Sequence, residues 1–120
     1  MSNVDREKER EYIEKDMYRM MLKFTLLNRI NYKLSYSYEL VKYIMYTKPK
    51  SVKVRESVIK NDVYNTLNAL EKAGYIKSEH IISKGKIKKY YTITKNGKIA
   101  IKDAQKIFAK ASKDVFNRLE

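Results

Sequence analysis

Residues 61–97 constrain the fold of this chain more than any other part of the sequence. A stripe of apolar residues at helical spacing predicts an amphipathic helix over residues 61–73. The stripe consists of Val63, Leu67, Leu70 and Ala73. Gly74 follows at once and supplies the left-handed residue at which many helices end. We therefore expect one face of this helix to pack on a core and the other to face solvent.

Two runs rich in β-branched and aromatic residues follow the predicted helix. They cover residues 75–82 and 87–93, and the charged sequence Ser83-Lys84-Gly85-Lys86 between them predicts a hairpin loop. Thr94-Lys95-Asn96-Gly97 ends the second run, and a long amphipathic pattern starts at Lys98 and continues almost to Glu120. The predicted order is helix, hairpin, helix.

Two more helices are predicted before this segment. From Tyr12 onwards, apolar residues alternate spacings of four and three in a heptad-like seam, namely Ile13, Met17, Met20, Phe24 and Leu27. Residues 35–46 predict a shorter helix with Ser35 or Ser37 as N-cap, and residues 51–56 predict an edge strand or an extended loop. The chain thus has a long helix, a short helix and then the helix, hairpin and helix described above.

These elements predict a mainly α (α+β) fold, a winged helix-turn-helix with a two- or three-stranded β-wing. No internal repeat or low-complexity linker marks a boundary, so we expect one domain over residues 1–120. Within it, residues 1–23 form an N-terminal dimerisation extension, residues 24–97 the winged-helix core and residues 98–120 a C-terminal dimerisation helix.

Homodimerisation is expected because both terminal helices are amphipathic and little remains in the chain to cover them. The predicted dimerisation residues are Ile13, Met17, Met20, Ile101, Ala104, Phe108, Ala111 and Val115. The alternative is that the two terminal helices pack only on each other within one chain.

The charge of the chain favours a polyanionic partner. Lys and Arg number 27 against 14 Asp and Glu, which gives a net charge of +13 at pH 7. Cysteine is absent and His80 is the single histidine, so neither a disulfide nor a conventional zinc site is expected. No Ser-His-Asp set or Gly-rich phosphate loop is present, so we predict neither an enzyme nor a cofactor.

Nothing in the sequence predicts a membrane segment. Residues 1–14 are charged throughout, and no stretch approaches the roughly 20 apolar residues that span a bilayer. We expect a cytoplasmic, nucleoid-associated protein.

The polar face of the 61–73 helix carries the predicted base-reading residues. Three asparagines recur at i, i+4 and i+7 opposite the apolar stripe, and a helix of this kind fits the major groove. Asn can pair with the N6 and N7 edge of adenine, and Thr can touch a thymine methyl group. The predicted set is Asn61, Tyr64, Asn65, Thr66 and Asn68. Two alternatives are that Asn61 is the helix N-cap and that Tyr64 is partly buried.

Cationic residues before the helix and in the hairpin are predicted to contact phosphates. They are Lys53, Arg55, Lys60, Lys72, Lys84, Lys86, Lys88 and Lys89. Lysines on an exposed hairpin also discourage edge-to-edge aggregation, which is an alternative role for some of them.

Three segments resemble the PadR-like transcriptional regulators, of the archaeal type. Residues 63–76 resemble the reading helix and following strand of that family, and residues 89–97 resemble its end-of-wing signature. Residues 24–44 are similar to its first two helices, so the resemblance covers most of residues 24–108. Each motif alone is shared with other winged-helix families, including MarR-like and ArsR-like proteins.

The resemblance implies a homodimer that binds a palindromic operator in double-stranded DNA and usually represses transcription. In such families a small aromatic effector sometimes binds at the dimer interface, but this chain has no tryptophan to sandwich a ring. It also carries Asn31-Tyr32-Lys33-Leu34 where the family has a glycine. An alternative is a plasmid partition adaptor, because similar winged-helix proteins load on a centromere, spread along DNA and recruit a second protein.

Overall fold

The computed structural model describes residues 2–117 and contains four helices and a three-stranded sheet in that range. In chain order the elements are α1 (Asn3–Tyr32), β1 (Ser35–Tyr36), α2 (Ser37–Thr47), α3 (Glu56–Lys72), β2 (Ile76–Ser83), β3 (Lys86–Ile93) and α4 (Lys95–Asn117). The strands are antiparallel in the order β1-β3-β2. The predicted mainly α (α+β) winged helix is confirmed. The last three residues of the predicted C-terminal helix, 118–120, lie outside the described residues.

The third strand comes from a part of the chain that was not predicted to be a strand. Ser35 pairs with Tyr91 and Tyr36 with Tyr90, so β1 adds a two-residue third strand to the free edge of β3. Residues 51–56 were predicted as an edge strand or a loop, and residues 51–55 form the loop between α2 and α3. The predicted wing therefore has its three-stranded form.

One core joins the second half of α1 to α2, α3 and the base of the hairpin. Its buried residues include Leu26, Leu27, Leu40, Ile44, Ile59, Val63, Leu67, Leu70, Ile76 and Tyr91. The first half of α1 contributes none of these, and its seam residues Ile13, Met17 and Met20 are 59%, 54% and 53% exposed. This half projects from the core and gives the molecule a long axis of 57 Å.

Helix α3 is longer than the sequence pattern predicted. It begins at Glu56 with Arg55 as N-cap, five residues before the predicted start, because buried Ile59 extends the apolar stripe by one turn. The prediction that the helix starts at Asn61, and the alternative that Asn61 is its N-cap, are both wrong. Asn61 is an exposed residue of the second turn, so its side chain is free of capping.

The N-cap predicted for α2 is also wrong. Neither Ser35 nor Ser37 is the N-cap, which is Tyr36, since Ser35 is drawn into β1 and its hydroxyl donates to the Lys33 carbonyl at 2.9 Å. The Tyr36 N–H donates to Glu39 Oε1 at 3.2 Å, so a carboxylate in the first turn satisfies a terminal donor.

Local chemistry fixes both ends of the hairpin. Gly74 has φ +79°, and the Tyr75 N–H donates to the Leu70 carbonyl at 3.0 Å, which is the pattern of a Schellman helix end. At the tip, Lys84 and Gly85 both have positive φ, as in a two-residue type I′ turn. The connection is therefore two residues long instead of the predicted four.

The C-terminal helix begins at Lys95, three residues before its predicted start at Lys98. Thr94 Oγ1 accepts the Gly97 N–H at 3.1 Å and donates to the Gly74 carbonyl at 2.6 Å. Its hydroxyl therefore caps α4 and ties the helix to the end of α3. The predicted turn residues Lys95, Asn96 and Gly97 form the first helical turn instead.

Candidate nucleic-acid interface

Four polar residues form one exposed ridge along α3, opposite its buried stripe. The ridge consists of Asn61, Asn65, Asn68 and Lys72, and the structure leaves all four exposed. The buried residues Ile59, Val63, Leu67 and Leu70 hold the other side of the helix in the core. Because both sets follow helical spacing, the ridge stands directly away from the core, and we name it the α3 ridge.

The other two predicted base-reading residues lie beside the α3 ridge and are less free. Tyr64 is half-buried against the core, and Lys60 Nζ stands 5.8 Å from the centroid of its ring. Thr66 is also half-buried, and its hydroxyl donates to the Asp62 carbonyl at 2.7 Å. The Thr66 hydroxyl is therefore occupied by the helix backbone, and the three asparagines are the exposed amide groups of this surface.

Predicted phosphate-contacting cations also precede α3 and occupy its first turns. Lys53, Arg55 and Lys60 are exposed. The loop that carries the first two is held against α1, because the Ser51 hydroxyl donates to the Glu14 carboxylate. Lys53 and Arg55 therefore stand just before α3 on a loop with a fixed attachment, and Lys60 lies in the second turn of the helix.

At the base of the wing, which is the β2–β3 hairpin, one carboxylate connects the hairpin to α3. Ser78 Oγ donates to the two Glu71 carboxylate oxygens at 3.1 and 2.8 Å. Lys89 Nζ lies 3.8 Å from Glu71 Oε1. Lys89 was predicted to contact phosphate, but the structure places it half-buried in this ion pair. Glu71 does not stand out in the sequence, since its spacing on α3 resembles that of an ordinary solvated charge.

Aromatic contacts fix the opposite face of the wing. The rings of Tyr36 and Tyr90 meet edge to face with centroids 5.5 Å apart, and Lys88 Nζ lies 4.3 Å from the Tyr36 centroid. Lys88, also predicted to contact phosphate, is thus half-buried over an aromatic ring of the domain. The two cations at the base of the wing hold its orientation.

The wing tip, residues 82–87, carries two exposed cations. Lys84 and Lys86 are exposed, and the sequence from residue 80 to residue 102 contains no Asp or Glu. Ile82 and Ile87, which sit next to these lysines, are also exposed. The sequence showed this pair only as strand-forming residues, because their exposure depends on how far the hairpin projects.

The predicted dimerisation residues divide into two groups. Ile101, Ala104 and Phe108 pack within the chain, where the Phe108 ring meets the Phe24 ring edge to face at 5.4 Å. The two terminal helices therefore pack on each other through these residues within one protomer, which agrees in part with the alternative of intrachain packing. The remaining residues are exposed, namely Ile13, Met17, Met20, Ala111 and Val115.

A cavity of about 450 Å³ lies between α1 and the end of α2, with an apolar lining that includes Met17, Tyr18 and Ile44. Burial raises the pKa of the Tyr18 hydroxyl, the negative charge of Asp62 raises it further, and Arg19 lowers it. The hydroxyl itself is buried and has no hydrogen-bond partner within residues 2–117. It therefore faces the protein interior between α1 and α3.

Neither a membrane segment nor a metal cluster is found in the part of the chain that the structure describes. No helix there is long and apolar enough to cross a bilayer. Over the same residues, no group of three His, Cys, Asp or Glu side chains is placed to hold a metal ion.

Comparisons with solved structures agree with this architecture. A PadR family regulator from Eggerthella lenta superposes with a TM-score of 0.78 at 20% identity, over 98% of this chain and 97% of that one. A PadR-like regulator from Bacillus cereus gives a TM-score of 0.67 at 25% identity, over 88% and 97%. A transcriptional regulator from Clostridium thermocellum gives 0.68 at 27% identity, over 86% and 93%. Among curated proteins, the comparison found no match.

The family comparison covers the winged-helix core and the start of α4. The family described as the transcriptional regulator PadR-like family matches residues 26–103, which is more than half of the chain. The matched range contains α2, α3, the wing and the first turns of α4. This chain therefore belongs to the PadR-like family of DNA-binding transcriptional regulators.

Proposed function

We propose that this protein is a homodimeric repressor that places α3 in the major groove of a palindromic operator. The α3 ridge reads bases, and the wing tip lies on flanking phosphates. The two reading helices of the dimer would enter major grooves about 34 Å apart on one side of the duplex. The expected place of action is the nucleoid.

The exposed α3 ridge is the observation that carries this proposal. Three asparagine amides and one lysine stand on the face opposite the core, and an amide can donate to N7-side acceptors and accept from N6 of adenine. Lys53 and Arg55 before the helix and Lys84 and Lys86 at the wing tip are exposed on either side of it in sequence. Amides for base edges and cations for phosphates are the division of labour that operator binding needs.

A footprint titration on the DNA upstream of the gene tests the proposed function. Near physiological salt, where non-specific binding is suppressed, a bounded and palindromic footprint is expected. A footprint that starts at one place and lengthens with protein concentration would contradict the repressor and support the partition-type alternative, with its second protein partner. Competition by scrambled duplex that equals competition by the upstream DNA would contradict operator recognition altogether.

Two substitutions separate base reading from phosphate contact. Asn65→Ala is expected to weaken operator binding by about 1 to 3 kcal/mol and to leave binding to random duplex unchanged. Lys86→Ala is expected to weaken binding to both duplexes alike and to reduce the salt dependence by about one phosphate contact. Both effects follow from which group each side chain offers to the duplex.

Matched controls come from exposed residues away from this surface. Asn31→Ala on α1 and Lys106→Ala on α4 make the same chemical changes at exposed positions, and they should leave binding as in wild type. Equal losses for Asn65→Ala and Lys86→Ala on both duplexes would contradict the assigned roles. Binding is measured by fluorescence anisotropy over a salt series.

A further inference from the structure

Two isoleucines at the wing tip are exposed side by side. Ile82 and Ile87 are cross-strand partners, 72% and 68% exposed, and they flank the turn at Lys84 and Gly85. Large apolar side chains that meet on a protruding hairpin lose contact with water only if something covers them. The pair is therefore a contact surface that the protomer does not use itself.

Strand alternation places the pair on the sheet face that meets α3. Ile76 lies an even number of residues before Ile82 and is buried, and Ser78, two residues on, bonds to Glu71 of α3. From Ser78 to Ile82 the strand advances by roughly 13 Å. The pair thus stands about one major-groove width (~12 Å) along the wing from the point where Ser78 contacts α3. With α3 in the major groove, a wing tip displaced by that much can reach past one phosphate backbone to the neighbouring minor groove.

The surrounding charge identifies the partner. Lys84 and Lys86 stand on either side of Gly85, and no acidic residue occurs from residue 80 to residue 102. The exposed Lys84 and Lys86 surround the pair with positive charge, which favours an anionic partner over an apolar protein surface. The minor groove presents deoxyribose carbon atoms between two rows of phosphates, so it matches an apolar pair flanked by cations.

We propose that Ile82 and Ile87 form an apolar wedge that enters the minor groove next to α3 and kinks the duplex there. This proposal rests on the proposed function, because it needs α3 in the adjacent major groove. Apolar side chains at the minor groove partly unstack a base step and bend the duplex towards the major groove. The cost is smallest at flexible pyrimidine–purine steps such as TA, so the wedge gives sequence preference at a position without hydrogen-bond contacts.

The test compares Ile82→Ser/Ile87→Ser with wild type on one operator. The double variant is expected to lose on the order of tenfold in affinity and most of the DNA bend, because it lacks the two isoleucines that the proposed complex would bury. The slope of affinity against salt should stay as in wild type, since no phosphate contact is lost. Affinity is measured by anisotropy and bending by energy transfer between the ends of a labelled duplex. Ile99→Ser, an exposed isoleucine on α4, is the matched control and should change neither.

A change in the DNA completes the test. Wild type should bind more tightly to a duplex with a TA step placed at the wing position than to one with a stiff adenine tract there, and the double variant should bind both duplexes alike. Wild-type affinity and bend in the double variant would overturn the wedge and assign the pair to a protein partner, while the footprint could still uphold the proposed function. A variant that instead changes the size of the free protein would assign the pair to contacts between copies of the chain. Wild type that binds no duplex would overturn both proposals.

Discussion

At the scale of single residues, Tyr18 stands out because folding buries its hydroxyl without giving it a hydrogen bond within the described residues. Its hydroxyl is buried between α1 and α3 without a hydrogen-bond partner in the described residues 2–117. Leaving such a group unsatisfied costs about 1–3 kcal/mol, whereas the ring itself packs against the core. Packing of the ring therefore stabilises the folded state, and burial of the unpaired hydroxyl offsets part of that stabilisation.

Tyr18→Phe is expected to leave the free energy of unfolding unchanged or to raise it by about 1 kcal/mol at neutral pH. The difference should grow in alkali. Burial raises the folded-state pKa of Tyr18 above the ordinary tyrosine value of about 10, so the unfolded chain loses this proton first and wild-type stability falls as the pH rises above about 10. Without a phenol the variant lacks this loss.

Urea unfolding from about pH 8 to about pH 11 measures both parts of this prediction. Tyr46→Phe is the control, because Tyr46 is exposed and its hydroxyl is already hydrated. A Tyr18→Phe variant that is less stable than wild type at neutral pH would show that the hydroxyl has a partner, such as a bound water.

At the scale of elements, the junction of β3 with α4 depends on a close approach that admits no side chain. A Cβ built on Gly97 would lie 2.1 Å from the Tyr75 carbonyl oxygen and 2.7 Å from Ile93 Cγ1. The same Tyr75 carbonyl accepts the Thr94 N–H at 3.0 Å. The first turn of α4 therefore rests directly on the backbone at the start of the wing.

Gly97→Ala is expected to destabilise the protein by about 2–4 kcal/mol, although alanine is the better helix former by about 1 kcal/mol. The clash involves backbone, which cannot rotate away as a flexible side chain can. Gly74→Ala is the comparison, because Gly74 has φ +79° but open space around it, and only about 1 kcal/mol of backbone strain is expected there. Thermal unfolding followed by circular dichroism measures both, and equal losses would contradict the steric argument.

Periodicity predicted the faces of the elements better than their ends. The stripe of Val63, Leu67 and Leu70 identified the reading helix and its outer face, since burial repeats with the helical period. The start at Glu56 was not predicted, because Val52 and Val54 alternate with polar residues and favour an extended segment up to residue 56. β1 was missed for a different reason: Ser35 and Tyr36 become a strand only by pairing with Tyr91 and Tyr90, far along the chain.

The same reasoning explains which parts of the candidate site could be predicted. The α3 ridge follows from spacing within one helix, so the sequence was sufficient to place Asn61, Asn65 and Asn68 together. The role of Lys89 depends on Glu71, which approaches it from another element. Local sequence gives the charge of a lysine but not its partner. The sequence therefore could not separate Lys88 and Lys89, which contact groups of the protomer, from the exposed Lys84 and Lys86.

At the scale of the whole molecule, the N-terminal part of α1 has an apolar face that no other part of the described protomer covers. Ile13, Met17 and Met20 are exposed, and α4 adds the exposed Val115 and Phe116. Ile101 and Phe108 are already packed within the protomer, so the surface left for a second copy lies mainly on α1 and on the last turns of α4. None of these residues belongs to the α3 ridge.

Met17→Ser/Met20→Ser is expected to convert the proposed dimer to a monomer at micromolar concentration, because it removes two apolar side chains from that surface. Both side chains are about half exposed in the protomer, so the winged-helix core should keep its fold. Affinity for a palindromic operator should fall more than that for a single half-site, since a dimer joins two binding events on one duplex. Sedimentation equilibrium measures the first effect and anisotropy the second, with Tyr46→Ser as the control at an exposed position on α2. If the double variant sediments as a dimer, or loses affinity equally for half-site and palindrome, the seam on α1 is not what joins the two reading helices.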